Sequence, residues 1–173
     1  MISPTTVVRK PGLLTFTRTF SARRELVFLA LSDADHLRRW WGPPDYPVVE
    51  CSVDFRPGGV WHYCLRGRDG AEVWARSVYR EIVPPERVSY FERPSDAQGN
   101  ITDIRPGSFV TITLESRAAE TQLTAVMRYQ SPLDGARAIH QGVEHGFSAA
   151  LDLLDDVLDE LDDVSQAALR TKR

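Results

Sequence analysis

The tightest group of ionisable side chains in the sequence is His140, Glu144 and His145, in the run H-Q-G-V-E-H. On a continuous helix, residues four apart share a face, so His140 and Glu144 are expected side by side. An imidazole and a carboxylate at that spacing can bind a ligand, bind a metal ion or transfer protons. The spacing fits neither zinc-protease motif, H-E-x-x-H or H-x-x-E-H, and no third metal ligand is identifiable. The sequence therefore leaves three roles for this group: a hydrogen-bonded pair at the surface, polar contacts to a ligand, or a metal or catalytic site.

No catalytic motif accompanies this group. The sequence contains no nucleophile elbow, phosphate loop, paired-cysteine motif or dinucleotide-binding fingerprint. Its two cysteines, Cys51 and Cys64, are predicted to lie roughly opposite each other on a hairpin that turns near Pro57 and Gly58. Such a pair could form a strained disulfide, but two partly buried, unreactive thiols are favoured. We therefore predict no catalytic residue, no metal and no cofactor.

Aromatic side chains on predicted strands are the other group that could contact a ligand. Trp61 and Tyr63 alternate with His62 and Cys64, and the apolar weighting places the two aromatic residues inside the protein. Alternation alone does not decide the face of Trp74. Core packing is the simplest role for such rings, although a buried tyrosine hydroxyl needs a partner and could orient a ligand. The residues predicted to line a pocket are Trp41, Trp61, Tyr63, Trp74, Tyr79, Tyr90, His140, Glu144 and Phe147.

Size and charge exclude several classes of protein. A chain of 173 residues with a formal net charge of -3 is predicted to form one domain with no general attraction to nucleic acid. Residues 134–163 contain nine acidic residues and one basic residue, which predicts an acidic surface stripe. No segment has the apolar length of a membrane span or of a signal peptide, so a cytoplasmic location without membrane insertion is expected.

The elements that would position these residues follow from the hydrophobic periodicity. Residues 1–13 are predicted to be an extended arm, and residues 14–20 alternate as in a half-buried strand. Two short helices are predicted at 22–31 and 33–41, the second ending at a Gly-Pro-Pro turn. Further strands are predicted at 48–55, 60–66, 71–83, 88–92, 109–115 and 122–129.

The second short helix ends with two adjacent tryptophans, Trp40 and Trp41. Adjacent helical residues point about 100° apart, so the two rings cannot lie on one buried stripe. We expect one ring to pack inward and the other to fill the corner before the next strand. Trp41 remains a possible wall of a cavity.

The last predicted element is one amphipathic helix that starts near Asp134. Apolar residues recur from there to Leu161 in steps of three and four, which corresponds to about 28 residues and about 40 Å. The fold class is therefore predicted as α+β, with a curved antiparallel sheet of about seven strands, two short helices and a long C-terminal helix packed across the sheet. This layout encloses a cavity. The domain is predicted at 14–163, with a tail at 164–173.

Five segments resemble the family named after the activator of the heat-shock protein 90 ATPase. This family lies within the START-like (helix-grip) superfamily, which includes polyketide cyclases and the major birch pollen allergen. The resemblance implies a helix-grip fold with an internal cavity, and implies much less about function. The sequence departs from the family pattern at Phe147, where tryptophan is usual, and in a longer loop at 94–107. The matching segments, which together span about 14–161, are R-T-F-S-A-R-R-E-L-V-F (18–28), H-L-R-R-W-W-G-P (36–43), D-F-R-P-G-G-V-W (54–61), V-Y-R-E-I-V-P-P-E-R-V-S-Y (78–90) and G-F-S-A-A-L-D-L-L (146–154).

Three functions remain open on these observations. The first is non-catalytic binding of a small, mostly apolar or amphipathic molecule between sheet and helix. The second is a cyclase- or hydrolase-type enzyme that uses the same cavity. The third, implied by the resemblance, is a co-chaperone-like stress-response module that docks on a chaperone. A monomer and a homodimer are both compatible with the sequence.

Overall fold

Eight strands form one antiparallel sheet in the computed structural model, which describes residues 3–172. Four helices accompany the sheet, and this confirms the predicted α+β helix-grip arrangement. The strand order across the sheet is β1-β2-β8-β7-β6-β5-β4-β3. The strands are β1 Thr6–Lys10, β2 Leu13–Phe20, β3 Val48–Val53, β4 Val60–Arg66, β5 Glu72–Val83, β6 Arg87–Ser95, β7 Ser108–Arg117 and β8 Glu120–Tyr129.

One strand more than expected comes from the segment predicted to be an extended arm. β1 pairs with β2 in an antiparallel register, with Val7 opposite Phe16. The two strands are joined at Pro11 and Gly12, and Gly12 has a φ of 69°. Glycine adopts this left-handed conformation without the steric cost of a Cβ, which explains the reversal of the chain at this point.

The inner face of the sheet carries the apolar residues that alternation predicts. In β2 the side chains of Leu14, Phe16, Arg18 and Phe20 are buried, and the residues between them are partly exposed. The same period places one apolar set inside on each central strand. The buried sets are Trp61 and Tyr63 on β4, Ala75 and Tyr79 on β5, Val88 and Tyr90 on β6, Val110, Ile112 and Leu114 on β7, and Leu123, Ala125 and Met127 on β8.

Two short helices connect β2 to β3. They are α1, Arg24–Ser32, and α2, Ala34–Trp40. The Asp33 side chain accepts a hydrogen bond of 2.7 Å from the backbone N–H of Asp35, which caps the start of α2. The turn after α2 brings Trp41 against the inner face of the sheet, and this corner forms one side of the site described below.

The C-terminal segment forms two helices, so the prediction of one continuous helix from Asp134 is wrong. α3 spans Pro132–His140 and α4 spans Val143–Thr171, which is 29 residues. Gly142 lies between them with a φ of 90°, in the left-handed region. This residue changes the direction of the chain without interrupting the apolar steps of three and four, so periodicity did not reveal it.

α4 covers the inner face of the sheet and continues through residues 164–171, where a tail was expected. Its buried side chains face the core, and Phe147 packs edge-on against Phe16 of β2 with ring centroids 4.8 Å apart. The buried residues of α4 are Phe147, Ala150, Leu151, Leu154, Val157 and Leu158.

The two cysteines are not opposite each other, which corrects the geometry expected of the hairpin. Cys51 is paired with Tyr63, and Cys64 is paired with Glu50, so the thiols are offset by one residue and lie on different faces. Both are buried and free. Burial and a hydrogen bond to the Glu72 carboxylate raise the pKa of the Cys64 thiol to about 11, and an inert thiol follows.

Candidate functional site

Four aromatic rings form a layer on the inner face of β4, β5 and β6. Trp61 is central: its ring is stacked on Tyr79 with centroids 6.4 Å apart, and it meets Tyr90 edge-on at 5.5 Å. Tyr63 lies 5.1 Å from Trp61 on the same strand. All four side chains are at most 4 % exposed. The prediction that Trp61 and Tyr63 point inward is confirmed.

The adjacent tryptophans at the end of α2 divide between the core and a pocket wall. Trp40 is fully buried, and its indole N–H donates a hydrogen bond of 3.0 Å to the Ala30 carbonyl. Trp41 follows the last residue of the helix and turns toward the sheet, where its ring centroid lies 4.6 Å from Trp61. It also lies 5.9 Å from Phe147 on α4. Trp41 therefore bridges the aromatic layer and the helix.

Beside Trp41 lies a pocket of about 490 Å³ between the sheet and the first turn of α4. Three predicted pocket residues, Trp41, Tyr63 and Phe147, line it. The other lining residues are a mixture of apolar side chains, two tyrosines, two glycines and six polar or charged side chains. The further lining residues are Pro43, Asp45, Tyr46, Leu65, Val73, Glu92, Arg105, Pro106, Ser108, Met127, Tyr129, Ala138, Gln141, Gly142, Val143, His145 and Gly146.

Four of the lining side chains, Tyr63, Glu92, Arg105 and Tyr129, form what we call the polar corner. The Tyr63 hydroxyl donates a hydrogen bond of 2.8 Å to Glu92 Oε1. Arg105 Nη1 lies 3.7 Å from the same oxygen, and Arg105 Nη2 donates a hydrogen bond of 3.1 Å to the Trp74 carbonyl. Among residues 3–172, the Tyr129 hydroxyl has only the Met127 sulfur as a partner, at 3.9 Å.

Both tyrosines of the polar corner remain protonated over the ordinary pH range. Burial raises the pKa of Tyr63 well above its usual value, and the negative charge of Glu92 raises it further. Burial and Glu92 likewise raise the pKa of Tyr129. A protonated phenol donates a hydrogen bond and does not act as a base, so the corner presents donors beside one carboxylate.

Three further predicted residues, Trp61, Tyr79 and Tyr90, are buried behind the lining rather than part of it. The hydroxyl groups of Tyr79 and Tyr90 are buried and have no hydrogen-bond partner among the described residues. Burial raises the pKa of both phenols. These rings support Trp41 and Tyr63 from below, and whether any predicted residue contacts a ligand stays a prediction.

Trp74 does not line the pocket, because the structure places it on the other face of the sheet. It is opposite Cys64 in the β4–β5 register, and its ring stacks on His62 with centroids 4.9 Å apart. The inward positions of β5 carry small residues such as Ala75 and Ser77, which are fully buried. The largest side chain of this strand therefore lies outside, which decides the face that alternation alone left open.

His140 and Glu144 do not share a helix face, because the chain turns at Gly142 between them. Neither lines the pocket. Glu144 forms a bidentate ion pair with Arg9 of β1, and this hydrogen bond lowers the pKa of the Glu144 carboxyl. His145, the third member of the group, lines the pocket instead. No group of three potential metal ligands occurs among residues 3–172.

The polar corner is the part of the site that the sequence analysis missed. Glu92 could have been found, because it continues the inward alternation of Val88 and Tyr90 and is a charged residue on an apolar face. Tyr129 likewise continues the inward series of β8. Arg105 lies in the irregular segment between β6 and β7, where no periodicity relates it to the sheet.

Comparisons with known proteins agree with this architecture. A family model described as "Activator of Hsp90 ATPase homolog 1-like protein" matches residues 21–159. Protein Ms6760 from Mycobacterium smegmatis is 27% identical, with a TM-score of 0.82 over 90% of this chain and 97% of that one. A protein from Arthrobacter aurescens is 25% identical, with a TM-score of 0.84 over 90% and 91% of the two chains. The AHSA1 protein from Silicibacter pomeroyi, 21% identical over 85% and 97%, shares the fold with a TM-score of 0.69.

No curated protein sequence matches the chain. Of the helices described between residues 24 and 171, none is long and apolar enough to cross a membrane.

Proposed function

The chain belongs to the activator of Hsp90 ATPase homolog 1-like family, within the START-like helix-grip superfamily, and we propose that it binds a small, mostly apolar molecule without chemical conversion. The observation that carries the proposal is the pocket of about 490 Å³ between sheet and α4. Small-molecule sites typically combine apolar and aromatic walls with a group of converging polar side chains, and this pocket has both.

The walls are also held in place by the surrounding structure. Trp41 is fixed by rings on both sides, Trp61 of the sheet and Phe147 of α4. Phe147 is fixed in turn by Phe16 on β2. Interlocked side chains of this kind resist collapse into the empty space, so the pocket is formed before a ligand arrives.

The enzyme alternative needs at least two ionisable groups that converge inside the pocket. Its first candidates, His140 and Glu144, do not line the pocket, and the carboxylate of Glu92 that does is paired with Tyr63 and Arg105. The tyrosines that do line it have raised pKa values and stay protonated. General base catalysis by a phenolate is therefore disfavoured.

The chaperone-docking alternative depended on the acidic stripe of residues 134–163. Five of its nine acidic residues form ion pairs with arginines of the same chain, which leaves less free charge for a partner. The pairs are Asp134 with Arg137, Glu144 with Arg9, Asp152 and Asp155 with Arg18, and Glu160 with Arg39.

The proposal is tested by blocking the pocket. Val143 lines it at the start of α4, whereas Val164 is on the same helix and 68 % exposed. We expect Val143→Trp to abolish binding of biphenyl and Val164→Trp to leave it unchanged, measured by isothermal titration calorimetry on the full chain. Native mass spectrometry of the purified protein should show a bound molecule that Val143→Trp lacks.

Two results would contradict the proposal. One is a native chain that carries no molecule and binds neither biphenyl nor N-phenylnaphthylamine. The other is equal binding by both tryptophan variants, which would place the bound molecule outside this pocket.

A further inference from the structure

We propose that the molecule held in the pocket carries an uncharged hydroxyl group, as a phenol or an alcohol does, and directs it to the polar corner. This inference rests on the proposed function and concerns the same pocket. It follows from three properties of Tyr63, Glu92, Arg105 and Tyr129: their balanced charge, their unused hydrogen-bonding capacity and their position at one side of an aromatic enclosure.

The charges at the polar corner balance each other. The guanidinium of Arg105 lies 3.7 Å from the Glu92 carboxylate, and both side chains are about one-fifth exposed, at 22 % and 18 %. A carboxylate on the ligand would be placed beside Glu92, and an ammonium group beside Arg105. Either would bury a charge without a free partner, which is unfavourable. The other acidic lining residue, Asp45, adds further negative charge and disfavours an anion again.

The unused hydrogen-bonding capacity includes an acceptor on Glu92 and donors on Tyr129 and Arg105. Glu92 Oε1 accepts from Tyr63, whereas Oε2 has no partner among the described residues. Within the described part of the chain, the Tyr129 hydroxyl has only one partner, the thioether of Met127 at 3.9 Å, which is a weak acceptor. Arg105 donates from Nη2 to the Trp74 carbonyl, and its buried Nε has no partner among the described residues. A ligand hydroxyl can donate to Glu92 and accept from Tyr129, whereas a carboxylate can only accept and an ammonium can only donate.

The remaining walls accommodate a rigid apolar body. Trp41 makes edge-to-face contacts with Phe147 and with Tyr63, at centroid distances of 5.9 Å and 6.1 Å. A flat ring packs well against such faces and edges. The combination of an aromatic enclosure and one two-way hydrogen-bonding corner therefore fits a hydroxyl attached to an apolar ring system.

The test uses three probes that share one body and differ in their end group: biphenyl, para-phenylphenol and para-phenylbenzoate. Titration calorimetry of the full chain near neutral pH should show para-phenylphenol binding about tenfold more tightly than biphenyl, the effect of one net hydrogen bond. Para-phenylbenzoate should bind more weakly than biphenyl, because its charge has no free partner in the corner.

Variants of the polar corner should change this order in a specific way. Tyr129→Phe should reduce the preference for para-phenylphenol over biphenyl. Glu92→Gln should remove the negative charge beside Arg105 and so make para-phenylbenzoate the best of the three probes. Tyr79→Phe alters a buried tyrosine outside the lining and should keep the native order. Biphenyl affinity reports in each case that the pocket is still folded.

The outcomes separate this inference from the proposed function. If biphenyl binds as tightly as para-phenylphenol, or para-phenylbenzoate binds best to the native chain, the inference is overturned and the proposed function stands. If Tyr129→Phe and Glu92→Gln both keep the native order, the hydroxyl is not at the polar corner and the inference is also overturned. If none of the probes binds, both proposals fail.

Discussion

Arg18 of β2 and Asp155 of α4 are joined by a hydrogen bond of 2.6 Å between Nη2 and Oδ2, beneath the C-terminal helix. The Arg18 side chain is only 1 % exposed, and Asp152, one turn earlier, accepts from Nη1. Burial alone would lower the pKa of Arg18, but the two carboxylates outweigh it and raise the pKa. A charge on the inner sheet face is thus compensated entirely by the helix that covers it.

Removing the two carboxylates should cost more than removing the arginine. Asp152→Asn with Asp155→Asn leaves a buried guanidinium without a counter-charge, and we expect about 2–3 kcal/mol of lost unfolding free energy. That is less than for a fully enclosed pair, because the Asp152 side chain is 65 % exposed. Arg18→Met keeps the apolar packing and leaves both carboxylates within reach of water, so its loss should be smaller. Urea unfolding measures both.

Asp159 provides the matched control on the same helix. Its pKa is raised by partial burial and then by its acidic neighbours, so its charge is repelled rather than compensated. Asp159→Asn should therefore leave stability unchanged or slightly higher. A double variant as stable as the native chain would show that the Arg18 pairing does not hold α4 to the sheet.

Substitution of the two adjacent tryptophans should affect different properties, stability for Trp40 and ligand binding for Trp41. Trp40→Ala removes a fully buried ring and leaves the Ala30 carbonyl without its donor, so we expect a loss of about 3–5 kcal/mol. Trp41→Ala removes a ring that borders an existing pocket; its stability loss should be smaller, and biphenyl binding should weaken. Urea unfolding and calorimetry compare the pair, with Trp40→Phe as the folded control that retains binding. If Trp40→Phe and Trp41→Ala weaken biphenyl binding equally, the assignment of Trp40 to the core and Trp41 to the pocket wall is contradicted.

Two neighbouring glycines should respond in opposite directions to alanine. Gly142 has a φ of 90°, and a side chain in this left-handed conformation costs about 1–2 kcal/mol. Gly146 lies within α4, where an added Cβ would meet only Pro43 Cγ, at 4.0 Å. Gly146→Ala should therefore stabilise the chain by roughly 0.5–1 kcal/mol, the helix-propensity difference. A Gly142→Ala variant with native stability in urea would indicate that α3 and α4 do not need the turn between them.

Alkaline pH should destabilise the protein through its buried tyrosines. Tyr63, Tyr79, Tyr90 and Tyr129 have pKa values raised by burial above the value of about 10 in an unfolded chain. The folded state therefore holds these protons more tightly, so their contribution is complete below about pH 10 and is lost as pH rises toward the folded pKa values. Each such group lowers stability by up to about 1.4 kcal/mol per pH unit in that window.

Tyr90→Phe isolates one of these groups. Its hydroxyl is buried without a partner, so its removal should leave stability near neutral pH unchanged or slightly raised. Between about pH 8 and about pH 11, the variant should lose less unfolding free energy than the native chain, and the difference is the contribution of one tyrosine. Urea unfolding at the two pH values measures this, and an undiminished loss in the variant would mean that Tyr90 does not titrate on unfolding.

Local pattern alone determined the buried face of strands such as β4, though not of β5, and the family to which the chain belongs. The alternation in β4, with Trp61 and Tyr63 on one side, correctly placed both rings inside. This succeeds because a strand between solvent and core must place its apolar side chains on one face, and that requirement is local. Each of the five segments that resemble the family is likewise recognised from its own residues, without reference to the rest of the chain.

Tertiary structure decided which of these residues meet. Gly142 redirects the chain between His140 and Glu144, although the apolar spacing continues across it. Trp74 lies outside because Ala75, Ser77 and Tyr79 occupy the inner face of β5. Arg105 reaches Glu92 from a segment without periodicity. Each outcome depends on contacts between segments distant in sequence, and hydrophobic periodicity reports only the local environment of a residue.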